Sequence, residues 1–272
     1  MKPIPSTGET LPVIGIGTWQ TFDVGDGAAE RAPLREVLQA FAQAGGRVLD
    51  SSPMYGAAES VVGELSAELK LRDRLFMATK VYTRGRAEGV RQMESSLRRM
   101  RAGRMDLIQV HNLVDVAAHT ETLKAWKADQ RVRYIGITHY TSSAYAEVER
   151  WLGTGQYDFL QINYSLGERE SERRLLPLAM EKKAAVIVNR PFAEGALFRR
   201  VKDKPLPPWA GELGVKSWAQ YFLKWIVSHP AVTCAIPATA NPQHVRDNVA
   251  AGYGALPDAM GRKRMADYFD SL

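Results

Sequence analysis

Eight short apolar or β-branched runs alternate with segments of helical periodicity, and this alternation constrains the fold more than any other feature. In the intervening segments apolar residues recur three and four positions apart, as on one face of an amphipathic helix. Dividing the 272 residues by eight leaves 34 residues for each strand, helix and pair of connections. The expected arrangement is a parallel sheet with crossover helices. The runs are Val13–Gly17, Arg47–Leu49, Leu75–Thr79, Asp106–Val110, Val132–Ile137, Asp158–Ile162, Ala184–Val188 and Val232–Ile236.

The predicted fold class is α/β, a (β/α)8 TIM barrel. The strand runs are almost continuously apolar, as in parallel strands buried on both faces, and eight of them close most naturally into a barrel. A doubly wound open sheet is the alternative. No repeat, low-complexity tract or Pro/Ser-rich linker divides the sequence, which predicts one domain over residues 1–272.

Two segments are longer than the minimal repeat requires. Lys2–Pro12 carries a Ser-Thr-Gly turn signal between short extended pieces, which predicts an N-terminal β-hairpin at the closed end of the barrel. Pro191–Gly214 lies between the seventh strand and its helix, and a loop of that length in a compact domain is usually functional. We interpret it as a candidate lid.

Composition excludes several other classes of protein. A hydrophobic content of 45% and a charged content of 24% are typical of a globular protein and not of a disordered or fibrous one. The net charge is +6, but the basic residues are scattered, so no nucleic-acid partner is expected. Cys234 is the single cysteine, which rules out an intrachain disulfide and any multi-cysteine metal site.

Nothing in the sequence indicates a membrane segment or a secretory signal. No apolar run reaches the roughly 18 residues that a transmembrane helix needs. The first ten residues also lack the apolar stretch of a signal peptide. The expected location is cytoplasmic. A leader peptide that had already been removed would not be visible in this sequence. The oligomeric state has no sequence signal.

Polar residues stand at the ends of the predicted strands, where the active site of a βα barrel forms. Asp50, Lys80 and His111 are 30 and 31 residues apart, so neighbouring strands bring an acid, an amine and an imidazole to one rim. Tyr55 follows in a turn, marked by proline and glycine, that is expected to lead the phenol back over the rim. Each residue alone is common in structural roles, but the combination favours catalysis.

The chemistry of these side chains suits proton transfer to a carbonyl oxygen. A phenol with a pKa of about 10 is a poor acid at neutral pH, and the ammonium of Lys80 is expected to lower that pKa for Tyr55. Asp50 keeps the lysine charged and oriented. A neutral His111 can donate one hydrogen bond to the same oxygen. A Schiff-base lysine is an alternative, but the neighbouring carboxylate raises the pKa of Lys80, which opposes it.

Longer motifs around these residues resemble the aldo-keto reductase superfamily over nearly the whole chain. The resemblance implies reduction of an aldehyde or ketone to an alcohol by hydride transfer from NAD(P)H, without a metal. It also implies that Tyr55 is the general acid, tuned by Lys80 and Asp50, and that His111 orients the carbonyl. The matching segments are Gly15–Trp19, Asp50–Gly56 with Glu59, Ala78–Lys80, Ser96–Met100, Asp106–His111, Ile135–Thr138, Gln161–Ser165 and Ile236–Thr239, followed by Asn248.

The resemblance also implies a nicotinamide cofactor extended across the rim. The carboxamide is expected at Thr138 and Gln161, with His139 where asparagine is usual; a neutral histidine can donate one hydrogen bond to an amide oxygen. The positions that match cofactor contacts are Gly17, Thr18, Trp19, Thr138, His139, Gln161, Asn189, Arg190, Phe192, Thr239, Asn241, His244, Asp247 and Asn248.

Two departures from the family pattern concern the nicotinamide ring and the 2′-phosphate. Arg190 or Phe192 stands where many members carry a tyrosine that stacks on the ring, and we favour Arg190 at the ring or diphosphate over a surface ion pair.

For the 2′-phosphate, Ala238 and His244 occupy positions where a lysine and an arginine are common. Thr239, Asn241 and the following helix start are left to bind it. NADPH is therefore the expected cofactor, with NADH possible.

The substrate is expected to be a small carbonyl compound that contacts Trp19, Met54, the segment 112–114 and the Pro191–Gly214 loop. A nicotinamide-binding sensor or regulatory subunit with little turnover is the alternative function, because such a protein can keep the same four residues.

Overall fold

A parallel sheet of eight strands forms the centre of the molecule in the computed structural model, which describes residues 1–272. Its strands follow one another in chain order, and bridges from Ile14 to Ala235 and from Gly17 to Ala238 join the first strand to the last. The sheet is therefore closed, which confirms the (β/α)8 barrel and excludes the open sheet. The strands are β1 Lys2–Pro3, β2 Thr10–Leu11, β3 Ile16–Gly17, β4 Val48–Asp50, β5 Phe76–Val81, β6 Met105–His111, β7 Val132–Thr138, β8 Phe159–Asn163, β9 Ala185–Asn189 and β10 Val232–Ala235.

Helices surround the barrel and bury their apolar faces against it. None of them has the length and apolar character that crossing a membrane requires. The α-helices are α1 Ala28–Gln43, α2 Ala58–Glu68, α3 Arg86–Arg99, α4 Val116–Ala128, α5 Tyr145–Gly153, α6 Leu175–Glu181, α7 Ala196–Arg200, α8 Trp218–Val227, α9 Pro242–Ala250 and α10 Ala259–Asp270. Short 3₁₀ turns lie at Arg72–Arg74, Ser142–Ala144, Glu170–Arg173, Ala193–Gly195 and Pro208–Leu213.

The predicted N-terminal hairpin is confirmed and fills the end of the barrel opposite the rim. Strands β1 and β2 pair antiparallel, with Lys2 opposite Leu11. The side chains of Ile4 and Leu11 are fully buried in the apolar interior of the barrel, beside the ring of Phe76. The Lys2 ammonium donates to the carbonyl oxygens of His229 and Val232, each at 2.7 Å, and so anchors the hairpin near the start of β10.

The segment 191–214, interpreted from sequence as a lid, is folded into helical turns. Its second half packs on the outer helices: the Trp209 ring lies near Tyr221 and Tyr268, and the guanidinium of Arg264 lies 4.1 Å from its centroid. The Tyr268 hydroxyl also donates to the carbonyl of Pro205. This half of the segment therefore belongs to the helical layer.

The hairpin contact provides a test of the barrel core. Replacing Leu11 by alanine removes a fully buried side chain and is expected to lower the free energy of unfolding by about 2–5 kcal/mol. Urea denaturation followed by circular dichroism measures this. The control is Met260→Ala, at a side chain that is 81% exposed. Equal stabilities of the two variants would show that the hairpin does not contribute to the core.

Candidate active site

An ion pair between Asp50 and Lys80 lies at the centre of the rim. Asp50 ends β4 and Lys80 lies near the end of β5. The Lys80 Nζ donates to Asp50 Oδ2 at 2.5 Å and to the carbonyl oxygen of Ser51 at 2.8 Å. Both charged side chains are buried, with 0% and 3% of their surface exposed. Burial alone would lower the pKa of Lys80, but Asp50 and Tyr55 more than offset this, so the pKa is raised and the ammonium persists.

Two glutamines complete the surroundings of the Asp50 carboxylate. Gln161 donates to Asp50 Oδ1 at 2.8 Å, and Gln109 lies at 3.4 Å from the same oxygen. Sequence reasoning missed Gln109. A signal was available, because a polar amide two residues before His111 in an apolar strand must face the same side as the histidine. The carboxylate is therefore held on both oxygens.

Tyr55 lies in the turn between β4 and α2, as predicted. Gly56 allows this turn: it has a φ of +55°, and a Cβ there would collide with the carboxylate of Asp23. The Lys80 Nζ is 5.1 Å from the centroid of the Tyr55 ring. The charge of Lys80 acts in the expected direction, but the pKa of Tyr55 is raised overall. Burial raises the pKa of the phenol, Asp50 adds to that rise, and Lys80 only opposes it.

His111, the last residue of β6, faces Tyr55 with its ring edge. Its ring centroid is 6.0 Å from that of Tyr55 and 5.2 Å from that of Tyr82, both in edge-to-face geometry. The Ser52 hydroxyl lies 3.1 Å from His111 Nδ1. Burial, then the charge of Lys80, lowers the pKa of His111 to about 3, so the imidazole is neutral at physiological pH. The structure thus brings the four predicted side chains together.

Beside this group lie the residues expected at a carboxamide. Thr138 donates to Gln161 Oε1 at 3.2 Å across the β7–β8 register. His139 Nδ1 accepts from the backbone N–H groups of two following residues, at 3.0 and 3.3 Å, so in the neutral ring Nε2 carries the proton. Asn189 donates to the carbonyl oxygen of His139 at 3.0 Å, while its buried Oδ1 has no partner.

Arg190 and Phe192 are occupied by protein contacts. The Arg190 guanidinium forms ion pairs with Glu168 at 3.5 Å and Glu194 at 3.2 Å, and it donates to the carbonyl of Tyr140 at 2.8 Å. Phe192 packs against the aromatic ring of Phe198, with centroids 4.8 Å apart. The structure contains the surface ion pair, and the placement of Arg190 at the nicotinamide ring or the diphosphate stays a prediction.

At the start of α9, three of the predicted residues come together. Asn241 caps the helix by accepting from the N–H of Gln243 at 2.8 Å, and Thr239 accepts from the N–H of Asn241 at 3.1 Å. His244 Nδ1 lies 3.4 Å from the Thr239 hydroxyl. This arrangement leaves a histidine and a hydroxyl at a helix N-terminus, which is suited to an anion.

Asp247 and Asn248, also on α9, differ in their surroundings. The Asp247 carboxylate accepts from Ser217 and from Gln220, both at 2.6 Å, and so ties the start of α8 to α9. Asn248 is buried at 5% exposure, without a hydrogen bond from its side chain to the protein. Of this pair, Asn248 is the one with free hydrogen-bonding capacity.

Residues after β3 form the other side of the rim. A Cβ at Gly17 would lie 3.0 Å from the carbonyl oxygen of Ile236, a close approach that keeps β3 against the last strand. The Thr18 hydroxyl lies 3.0 Å from the Asp50 carbonyl oxygen and 2.9 Å from the Ser51 hydroxyl. Trp19 is 44% exposed. Thr18 thus supports the loop after β4, which carries Tyr55. The side chain of Trp19 is available to a ligand.

Comparison with known proteins places this arrangement in a family. The sequence profile of the Aldo/keto reductase family matches residues 13–262. Methylglyoxal reductase YeaE of Escherichia coli is 31% identical over 259 residues, covering 92% of this chain and 88% of that protein. An aldo/keto reductase of Klebsiella pneumoniae, solved in complex with NADP and acetate, has a TM-score of 0.81 at 27% identity and covers 95% of this chain and 92% of that one. The NADH-specific methylglyoxal reductase of E. coli is 24% identical, covering 95% and 96%.

The chain therefore belongs to the aldo/keto reductase family. It is an enzyme of that family, an oxidoreductase that reduces an aldehyde or ketone to an alcohol with NAD(P)H.

The neutral state of His111 predicts a particular dependence of stability on pH. Its pKa is about 3 in the folded protein and about 6.5 when unfolded, so between these values only the unfolded chain binds the proton and stability falls as the pH falls. From pH 7 to pH 5 this group alone costs about 2 kcal/mol.

Chemical denaturation at both pH values, compared with His111→Asn, measures this contribution. The wild type should lose more stability than the variant by that amount. His229, whose pKa burial lowers to about 4, contributes to both proteins and cancels. Equal losses would mean that His111 is not buried in a neutral form.

Proposed function

We propose that Tyr55 protonates, and His111 orients, the carbonyl oxygen of a small aldehyde or dicarbonyl compound that NADPH reduces. The observation that carries this assignment is the convergence of a phenol and a neutral imidazole, with ring centroids 6.0 Å apart, above one buried ion pair. Both groups can donate to the same oxygen, and donors fixed in a dry site stabilise the negative charge that develops there. The cofactor, when bound, supplies the hydride.

The buried pair supports this proton transfer. Lys80 stays charged because Asp50 is 2.5 Å away, and its charge favours the anion that Tyr55 becomes when it gives up its proton. Burial opposes ionisation of the phenol, so the proton stays on Tyr55 until charge builds on the substrate oxygen. The same ion pair argues against a Schiff-base function, since a nucleophilic amine must be deprotonated.

The residues present fit a nicotinamide cofactor. A primary carboxamide needs donors and acceptors, and the rim offers the His139 Nε2–H, the unpartnered Oδ1 of Asn189, and the second N–H of Gln161. Thr239, Asn241 and His244 at the start of α9 would hold the 2′-phosphate of NADPH.

A small substrate is favoured by the relatives and by the rim. YeaE is named a methylglyoxal reductase. Here the loops that follow β3, β4 and β7 carry exposed large side chains, Trp19 at 44%, Met54 at 51% and Tyr140 at 46%. These side chains can cover a compact substrate, and we propose methylglyoxal as the first compound to test.

We also propose that residues 1–272 form one domain, because the hairpin and α10 both pack against the barrel or its helices. A cytoplasmic location is proposed because reduced nicotinamide cofactors are regenerated inside cells.

Replacement of Tyr55 by phenylalanine tests the proton donor. The variant keeps the ring and loses the acid, so kcat with methylglyoxal is expected to fall about a hundredfold or more, while NADPH binding is retained. Tyr253→Phe, at an exposed phenol far from the rim, is the matched control. Unchanged turnover of Tyr55→Phe would remove this residue from the mechanism.

Titration with NADPH and NADH, followed by tryptophan fluorescence, tests the phosphate site at α9. The wild type should bind NADPH more tightly, and His244→Ala should weaken NADPH binding while leaving NADH binding in place. Equal affinities of the wild type for both cofactors would contradict a 2′-phosphate site.

A further inference from the structure

The Ser52 hydroxyl contacts the imidazole ring of His111. It lies 3.1 Å from Nδ1 of the imidazole and is the only side-chain partner of that nitrogen. Ser52 itself is fully buried, two residues after Asp50 and in the turn that carries Tyr55. The other ring nitrogen, Nε2, makes no hydrogen bond within the protein.

The direction of this hydrogen bond follows from the other contact of Ser52. Its oxygen already accepts from the N–H of Met54 at 3.2 Å. If it also accepted from His111, its own proton would be a buried donor without an acceptor, which costs about 1–3 kcal/mol. With the reverse direction, the hydroxyl donates to Nδ1, and both the Ser52 proton and Nδ1 have a partner.

The imidazole can satisfy this arrangement in one protonation state. A hydroxyl donating to Nδ1 requires that nitrogen to be unprotonated, so the proton of the neutral ring resides on Nε2. The rings of Tyr55 and Tyr82 pack edge-to-face against His111 and restrict its rotation. Ring orientation and proton position are thus both set.

We infer that Ser52 is a positioning residue that holds His111 as the Nε2–H tautomer, ready to donate to the substrate oxygen. This role deepens the proposed function, because an Nδ1–H tautomer would present a lone pair to the carbonyl and repel it. In this role Ser52 acts through His111 and makes no contact with the substrate.

Nitrogen NMR of the histidine side chains in the full-length protein tests the inference without cofactor or substrate. Long-range ¹H–¹⁵N correlations distinguish a protonated from an unprotonated ring nitrogen, and His111→Asn identifies the resonances. We expect an unprotonated, hydrogen-bonded Nδ1 and a protonated Nε2 at pH 7. In Ser52→Ala the Nδ1 resonance should shift as the bond is lost.

The same variant is then assayed with methylglyoxal and NADPH. Because one neutral hydrogen bond changes the ratio of the two tautomers roughly fivefold, kcat should fall by no more than about that factor, while the Kd for NADPH stays constant. Ser66→Ala removes another buried hydroxyl, on α2, whose only partner is the carbonyl of Gly63. It should leave the His111 resonances and kcat unchanged.

The inference is overturned if wild-type His111 carries its proton on Nδ1, or if Ser52→Ala leaves the Nδ1 resonance in place. It is also overturned if Ser66→Ala shifts that resonance as much as Ser52→Ala does. If Ser52→Ala fails to fold, the inference is tested by which ring nitrogen of His111 carries the proton in the wild-type protein. Absence of any carbonyl turnover by the wild type would contradict the proposed reaction instead, since the tautomer is measured on the free protein.

Discussion

The buried ion pair of Asp50 and Lys80 is the interaction on which the active site depends. Each charge would be strongly unfavourable alone inside the barrel, and removing one partner of such a pair typically costs about 3–5 kcal/mol. Further hydrogen bonds stabilise the pair. Gln161 and Gln109 donate to one oxygen of the Asp50 carboxylate, and the Ser51 carbonyl accepts from the Lys80 ammonium. Because these groups come from different strands, the closed barrel is what makes the pair possible.

The fold and the main catalytic group could be predicted because they depend on local periodicity. Spacings of 30 and 31 residues reflect one strand and one helix, so Asp50, Lys80 and His111 had to reach the same rim once the strands were parallel. The hairpin could also be predicted, because its turn signal and its apolar residues lie within about a dozen residues of sequence. Its place inside the barrel follows from Ile4 and Leu11, which cannot remain in water.

The side-chain contacts that could not be predicted from sequence involve partners that are distant in the chain. Arg190 is paired with Glu168 and Glu194, and nothing in the residue order indicates that Glu168 reaches it. Asp247 is likewise engaged by Ser217 from another helix. The overall rise in the pKa of Tyr55 could not be predicted, because the charge of Lys80 is visible in a sequence, whereas the extent of burial is not.

The site combines one permanent charge pair with donors that stay neutral. A second cation beside Lys80 would be repelled in a medium of low dielectric constant, and the lowered pKa of His111 reflects this together with its burial. A neutral imidazole can donate only from the nitrogen that carries its proton, so its usefulness depends on which nitrogen that is. A hydrogen-bond partner at Nδ1 distinguishes the two nitrogens. The two requirements on His111 are thus met by different neighbours: burial and the charge of Lys80 keep the ring neutral, and the hydroxyl of Ser52 sets which nitrogen carries the proton.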